Sequence, residues 1–311
     1  METSPNADAD SAATVPIGNH PHNPKEIHTK EIKAVRPSKV KGNIEIYSET
    51  DEAEVSNNSS IKRLGDSPAI EILIDSSSSM KGTKIETAKT VLKDLIVNDI
   101  PEGSKVALRV FGVGRCNESK LIYPLQDFDE AKLLKLVDEI RAIRTTPIAA
   151  TIAKVKGDLE NAKGDRLVIL MTDGAESCNP DKDAAHAEIL KLRDHGFDVV
   201  VNIVGFDINS QSLKNRFDRW AVAGGGEYYD ARDASQLGKQ MKRALSVPYV
   251  VRRNDDMEAV ASGYVDGEAV ELDAGIDYRI EYVLPGTHTY QKGIIRVEGG
   301  KTTRIPVYRG K

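Results

Sequence analysis

Small oxygen-bearing side chains stand at three separate places in this chain of 311 residues. One aspartate and four serines run from Asp75 to Ser79, a Thr-Thr-Pro sequence contains Thr146, and a Thr-Asp-Gly sequence contains Asp173. Hydroxyl and carboxylate oxygens without histidine or thiolate suit a hard cation such as Mg²⁺, Mn²⁺ or Ca²⁺. Two carboxylates and several neutral hydroxyl groups leave such a cation incompletely neutralised, so we expect a partner's carboxylate to complete the site.

These three places follow or precede segments that have the pattern of an α/β domain. Short apolar runs, typical of strands covered on both faces, occupy residues 69–75, 105–112, 166–173 and 198–206. Segments with apolar residues at helical spacing separate the runs. Strands that alternate with amphipathic helices predict a doubly wound, mainly parallel sheet. Ligands of such sheets bind at the carboxyl ends of the strands, where Asp75 and Asp173 stand.

The chain divides into four segments. Residues 1–42 are polar and rich in proline, which predicts a flexible tail or linker. Residues 43–66 contain a short alternating strand and a loop, and we expect the strand to join a C-terminal domain. The α/β domain is predicted at 67–247. At 248–311, apolar and polar residues alternate around Gly and Pro turns, which predicts a small antiparallel β-sandwich.

Charge and hydrophobicity argue against nucleic-acid binding, membrane insertion and a signal peptide. The net charge is −5, whereas a nucleic-acid-binding protein usually has a basic excess. Apolar runs are far shorter than the ~18 residues that span a bilayer, so we expect no membrane insertion. The N-terminal residues lack the apolar segment of a signal peptide, and we expect none in this chain.

The order of the oxygen-bearing residues resembles a known adhesion site. Asp75, Ser77 and Ser79 form the D-x-S-x-S sequence of the metal-ion-dependent adhesion site of von Willebrand factor type A domains, and Thr146 and Asp173 match that family's threonine and second aspartate. The resemblance implies that the hydroxyl groups supply direct or near-direct oxygen ligands and that the aspartates often act through water. It also implies one divalent cation, with Mg²⁺ the expected occupant and Mn²⁺ or Ca²⁺ as alternatives, completed by an acidic residue of a protein partner.

The positions of the two cysteines give a second resemblance to known proteins. Cys116 lies between two predicted strands, and Cys178 comes five residues after Asp173. Their positions are similar to those in a subgroup of secreted bacterial type A domains in which such a pair forms a disulfide. That likeness implies a Cys116–Cys178 disulfide and an extracytoplasmic location, in the periplasm or at the cell surface. Two reduced thiols in a cytoplasmic protein are the alternative.

These resemblances imply a metal-dependent protein-binding or adhesion module and not an enzyme. A cytoplasmic assembly subunit that works with an AAA+ ATPase is one alternative. A metal-dependent hydrolase is another, and it would need an activated water and usually a general base or a second metal. Glu176 is the one nearby carboxylate that could act as a base, and we interpret it as a solvated loop residue.

Overall fold

The computed structural model of the protein describes residues 40–49, 69–100, 103–163, 165–193, 197, 199–283 and 289–308. The tail predicted at 1–42 lies almost entirely outside these residues, as does the loop predicted to precede residue 67. The strands in the described part are β1 (Lys41–Glu49), β2 (Ala69–Asp75), β3 (Lys105–Phe111), β4 (Ser119–Asp127), β5 (Arg166–Thr172), β6 (Val199–Phe206), β7 (Tyr228–Ala231), β8 (Pro248–Arg253), β9 (Ala259–Tyr264), β10 (Val270–Asp273), β11 (Asp277–Val283), β12 (Thr289–Arg296) and β13 (Thr302–Tyr308). The α-helices are α1 (Thr83–Asn98), α2 (Glu130–Glu139), α3 (Ile148–Asp158), α4 (Ala184–Arg193), α5 (Gln211–Ala223) and α6 (Ala234–Leu245).

Six strands form one sheet in the order β4-β3-β2-β5-β6-β7. Neighbouring strands are parallel except for β3 and β4, which are antiparallel. From β2 the chain builds outward through β3 and β4, and it then returns to the other side of β2 with β5. The order therefore reverses between β2 and β5, and this switch point leaves a crevice at the carboxyl ends of the two strands.

Helices cover both faces of the large sheet. Ile70, Ile72 and Ile74 of β2 belong to a core that includes buried residues of α1, α2 and α6. Ala69 and Leu73 belong to a second core, with α3, α4 and α5. Alternate residues of a strand face opposite ways, so a strand buried on both faces must be apolar at nearly every position. The predicted doubly wound α/β fold is confirmed. No helix in the described part combines the length and apolar composition needed to cross a membrane.

Seven further strands form two smaller sheets. One is antiparallel, with the order β12-β11-β8-β9, and the other has the order β10-β1-β13. In the second sheet, β1 is antiparallel to β10 but parallel to β13. This sheet is therefore mixed, whereas the other small sheet is antiparallel throughout its described strands. The difference arises because β1 precedes the whole α/β domain in sequence, and no hairpin fixes its direction relative to β13.

Apolar side chains from both small sheets share one core. Ile44 and Ile46 of β1 are each 1% exposed and lie in the same cluster as Tyr249 and Tyr282. The two tyrosine rings meet edge to face with their centroids 6.4 Å apart, a favourable arrangement for aromatic pairs. A strand from the N-terminal side of the α/β domain thus supplies part of the C-terminal core.

We predict that Ile46→Ala lowers the free energy of unfolding by about 3 kcal/mol, because it leaves a cavity in this core. Val260→Ala is the control, since Val260 on β9 is 40% exposed and surface changes cost no more than about 0.5 kcal/mol. Urea denaturation followed by far-UV circular dichroism measures both. Fluorescence of Trp220, the single tryptophan, reports separately on the α/β domain. Equal losses in the two variants would contradict a structural role for β1.

Candidate metal centre

The five residues predicted to bind a metal lie around the switch point. Asp75 ends β2, Ser77 and Ser79 lie in the short turn that follows it, Thr146 lies just before α3, and Asp173 comes directly after β5. The hydroxyl oxygens of Ser77 and Ser79 are 2.9 Å apart, and the Ser79 hydroxyl donates to Asp173 Oδ1 at 2.6 Å. The structure therefore brings the oxygen atoms of two loops into contact.

The Asp75 carboxylate is fully buried. Its Oδ1 accepts the backbone N–H of Ser77 at 2.7 Å, and its Oδ2 accepts the hydroxyl of Thr172 at 2.6 Å. Burial raises the pKa of Asp75 to about 6, although these hydrogen bonds oppose the shift. No lysine or arginine in the described part of the chain lies within ion-pair distance of Asp75. Among the described residues, its negative charge therefore has no balancing side-chain cation, which fits a site that receives a metal ion.

The Asp173 carboxylate has a different environment, and sequence reasoning missed its partners. Its Oδ2 accepts a hydrogen bond from Lys84 Nζ at 3.0 Å, and the same Nζ lies 3.0 Å from Asp207 Oδ2. Burial lowers the pKa of Lys84, but the hydrogen bonds to these carboxylates outweigh it and the net shift is upward. Two signals could have found these residues: Lys84 stands five positions after Ser79, and Asp207 directly follows β6.

The donor set suits a hard cation. The hydroxyl groups of Ser77 and Ser79 and the carboxylate of Asp173 are linked by hydrogen bonds. The second carboxylate, that of Asp75, accepts the Ser77 N–H at the start of the turn that carries the two serines. The described residues hold no group of three or more His, Cys, Asp and Glu side chains that could bind a metal, so a cation here must rely on hydroxyl oxygens. Ser79 is exposed, whereas Asp75 and Ser77 are buried, so the crevice opens to solvent on the Ser79 side.

Close approach of three loops requires a glycine at position 112. Gly112 has a φ of 85°, and a Cβ there would lie 2.6 Å from the Ser77 nitrogen and 2.8 Å from the Thr145 carbonyl oxygen. Its carbonyl accepts the N–H of Arg144 at 3.0 Å, and the Arg144 carbonyl accepts the N–H of Ser78 at 2.7 Å. These bonds fix the serine-bearing turn against the segment that leads to Thr146.

Glu176 is a buried anchor, which corrects our interpretation of it as a solvated loop residue. The residue is only 2% exposed to solvent. Oε2 accepts the N–H of Ala149 in the first turn of α3 at 2.8 Å, and Oε1 accepts the N–H groups of Cys178 and Asn179 at 2.6 and 3.1 Å. A helix N-terminus leaves N–H groups without helical partners, and a carboxylate is well suited to satisfy them. Sequence spacing alone does not show this contact because its partners are 27 residues apart.

Thr146 is held by the loop that carries Asp173. Its backbone N–H donates to the Ser177 hydroxyl at 2.8 Å, and its carbonyl accepts the Ser177 N–H at 3.1 Å. Together with the Glu176 contacts, this exchange attaches the loop after β5 to the start of α3. The predicted ligands therefore stand on segments that hydrogen-bond to one another.

A disulfide joins Cys116 and Cys178, with their Cα atoms 5.0 Å apart. This distance is in the ordinary range for the bond. The predicted pairing is confirmed. It connects the segment between β3 and β4 to the loop after β5, so a covalent link supplements the hydrogen bonds at this edge of the sheet.

The fold and the site define a class of protein: a doubly wound α/β domain with hydroxyl and carboxylate oxygens at the switch point. The family model for the von Willebrand factor type A domain matches residues 70–243, and the chain belongs to this family. A relative, described as uncharacterized protein YwmC of Bacillus subtilis (strain 168), is 30% identical over 199 residues, which cover 57% of this chain and 84% of the relative.

Solved structures share the fold at lower identity. The von Willebrand factor type A protein from Catenulispora acidiphila superposes with a TM-score of 0.51 and 15% identity, covering 76% of this chain and 67% of that one. The pilus adhesin SpaC from Lactobacillus rhamnosus GG superposes with a TM-score of 0.50 and 12% identity, covering 77% of this chain and 44% of the adhesin. At these identities, the likeness is one of fold.

We predict that replacing both cysteines with serine lowers the free energy of unfolding by about 4 kcal/mol, because the disulfide closes a long loop in the unfolded chain. Urea denaturation with and without reductant measures the effect. Reductant should destabilise the wild-type protein to the level of the double variant and leave the variant itself unchanged. A reductant effect of equal size in both proteins would contradict this assignment.

We also predict that Glu176→Ala lowers the free energy of unfolding by about 2 to 3 kcal/mol, because three backbone N–H groups lose their acceptor. Glu160→Ala is the matched control, since Glu160 is exposed and surface changes cost no more than about 0.5 kcal/mol. Equilibrium urea denaturation compares the two variants. If they were equally stable, the anchoring role of Glu176 would be wrong.

Proposed function

We propose that this chain is a metal-dependent protein-binding module of the adhesion type. A divalent cation held by Asp75, Ser77, Ser79, Thr146 and Asp173 would capture an acidic side chain of a protein partner. One observation carries the proposal: the buried Asp75 carboxylate has no side-chain cation among the described residues and ends the strand that leads into a row of hydroxyl and carboxylate oxygens. Mg²⁺ is the expected occupant, with Mn²⁺ or Ca²⁺ as alternatives, because all the donors are hard oxygen atoms.

The residues of the proposed site differ in what they contribute to it. Asp75 supplies negative charge from the buried end, and its hydrogen bonds to Ser77 and Thr172 fix its orientation. Ser77 and Ser79 supply neutral oxygens. Asp173 is already engaged with Lys84, so it neutralises a metal ion only in part. When bound, the cation supplies the positive charge that attracts a carboxylate from outside.

Binding is a better account of this site than hydrolysis. Metal-assisted hydrolysis usually requires a general base close to the metal-bound water. Glu176, the carboxylate that we considered for that role, accepts three backbone N–H groups and is almost completely buried. The Glu176 carboxylate therefore has a structural role and is not placed to act as a general base. We propose that the protein is a binding module without enzymatic activity of its own.

We further propose that the protein acts outside the cytoplasm, in the periplasm or at the cell surface. The Cys116–Cys178 disulfide supports this location, because disulfides persist in oxidising compartments and are rare in the cytoplasm. The pilus adhesin SpaC shares the fold, and an adhesive role for this chain is an extension of that likeness. A partner that offers an exposed aspartate or glutamate side chain fits the site's chemistry.

The test is titration of the metal-free, full-length protein with Mg²⁺ and Mn²⁺ in a calorimeter. We predict that the wild-type protein takes up one cation and that Asp173→Ala weakens uptake at least about tenfold, because a charge-assisted ligand is worth more than about 1.4 kcal/mol. Asp218→Ala is the control, since Asp218 is exposed on α5. Asp75→Ala is less suitable because it also removes the acceptor of two buried hydrogen bonds.

Capture of a partner from source extract, with and without EDTA, tests the adhesive role. The wild-type protein and Asp218→Ala should retain the partner only in the absence of EDTA, and Asp173→Ala should not retain it in either condition. Equal cation uptake by the wild-type protein and Asp173→Ala would make the metal site wrong. Metal uptake with EDTA-insensitive partner binding would make only the adhesive mechanism wrong.

A further inference from the structure

Lys84, in the first turn of α1, joins two carboxylates that follow neighbouring strands. Its Nζ lies 3.0 Å from Asp173 Oδ2 and 3.0 Å from Asp207 Oδ2. Asp173 follows β5 and Asp207 follows β6, and these strands are paired in the sheet. A proposed metal ligand therefore already has a cationic partner that belongs to the chain itself.

Asp207 reaches this position through an uncommon backbone conformation. Its φ is 54°, in the left-handed region that residues other than glycine seldom adopt and that aspartate tolerates better than most. Its N–H donates to the carbonyl of Ala231 at 2.7 Å, which attaches the turn to β7. The side chains of Asp173, Lys84 and Asp207 are 0%, 29% and 42% exposed, so the lysine amino group lies at the border between the buried site and solvent.

The charges around the site are therefore unevenly balanced. Asp75 has no lysine or arginine within ion-pair distance in the described part of the chain, whereas Asp173 has Lys84. A divalent cation that enters is attracted by Asp75 but must share Asp173 with the lysine. Two cations that share one carboxylate lie well within the ~8 Å screening length at physiological salt, so they repel each other.

We propose that Lys84 is a tethered competitor of the metal ion, an inference that rests on the metal site proposed above. Its amino group holds Asp173 and Asp207 in the metal-free protein and lowers the affinity of the site for a divalent cation. A carboxylate from the partner adds negative charge and offsets the repulsion, so the cation and the partner bind more tightly together than separately. Lys84 is thus a positioning residue that sets metal affinity and is not itself a ligand.

Titration calorimetry with Mn²⁺ alone, on the metal-free, full-length chain, tests this role. Lys84→Met removes the charge and keeps an unbranched side chain, whereas Lys84→Arg keeps the charge. Lys81→Met is the matched control, because Lys81 is exposed three residues away and makes no ion pair with any described residue. Coulomb repulsion between the lysine amino group and Mn²⁺ is lost in Lys84→Met, so we expect this variant to bind Mn²⁺ roughly tenfold more tightly than the wild type. The other two variants keep the Lys84 site charge and should bind within about threefold of the wild type.

Thermal unfolding supplies a second readout that distinguishes competition from a purely structural role. Without metal, Lys84→Met should melt at a lower temperature than the wild-type protein, because Asp173 and Asp207 lose their shared partner. At saturating Mn²⁺ this difference should become smaller, since the metal replaces the lysine at Asp173 and only the contact of Lys84 with Asp207 remains to be lost. A lysine that only stabilised the fold would lower the melting temperature equally in both conditions.

The outcomes separate this proposal from the metal site on which it rests. If Lys84→Met binds Mn²⁺ no more tightly than the wild type does, or if its melting deficit at saturating Mn²⁺ is as large as without metal, the competitor role is wrong and the metal site stands. If neither protein takes up Mn²⁺, the metal site itself is wrong. Uptake by Lys84→Met alone would support the competitor role in its strongest form.

Discussion

The parallel pairing of β2 with β5 is the constraint on which the site depends. This pairing places the ends of two strands side by side, one finishing at Asp75 and the other leading to Asp173. The chain leaves β2 in one direction across the sheet and returns beside it on the other, so the strand order reverses at this junction. A crevice with carboxylates on both sides follows from the topology.

Such a crevice holds its shape only if the loops around it are fixed, because irregular segments lack the ladders of a sheet or a helix. Here backbone hydrogen bonds connect the turn after β2 to the segment before α3, and Gly112 permits the closest approach between them. Glu176 and the disulfide fix the loop after β5 from the other side. These contacts fix the loops that carry the serine hydroxyls and Asp173 beside the end of β2.

Electrostatic balance gives the two aspartates different properties. Asp75 is buried, and burial disfavours its charged form despite the hydrogen bonds that it accepts, so a nearby cation would stabilise it. Asp173 has Lys84 as a partner, and Lys84 is shared with Asp207. In the proposed function, one carboxylate without an ion partner among the described residues and one paired with Lys84 would attract a cation without fully neutralising it. That imbalance would give the bound cation a reason to recruit a partner's carboxylate.

The sequence by itself determined the α/β class, because strands buried on both faces must be apolar almost throughout and the intervening helices must show one apolar face. It also determined which oxygen-bearing residues follow the strands, and the resemblance of the cysteine positions to those of secreted type A domains implied the disulfide. Only the tertiary structure decided the direction of β1 beside β13, the burial of Glu176, and the contact of Lys84 with Asp173 and Asp207. These features depend on which segments meet after the chain has folded. Local periodicity records which face of an element is buried, but it contains no information about a contact between residues far apart in sequence.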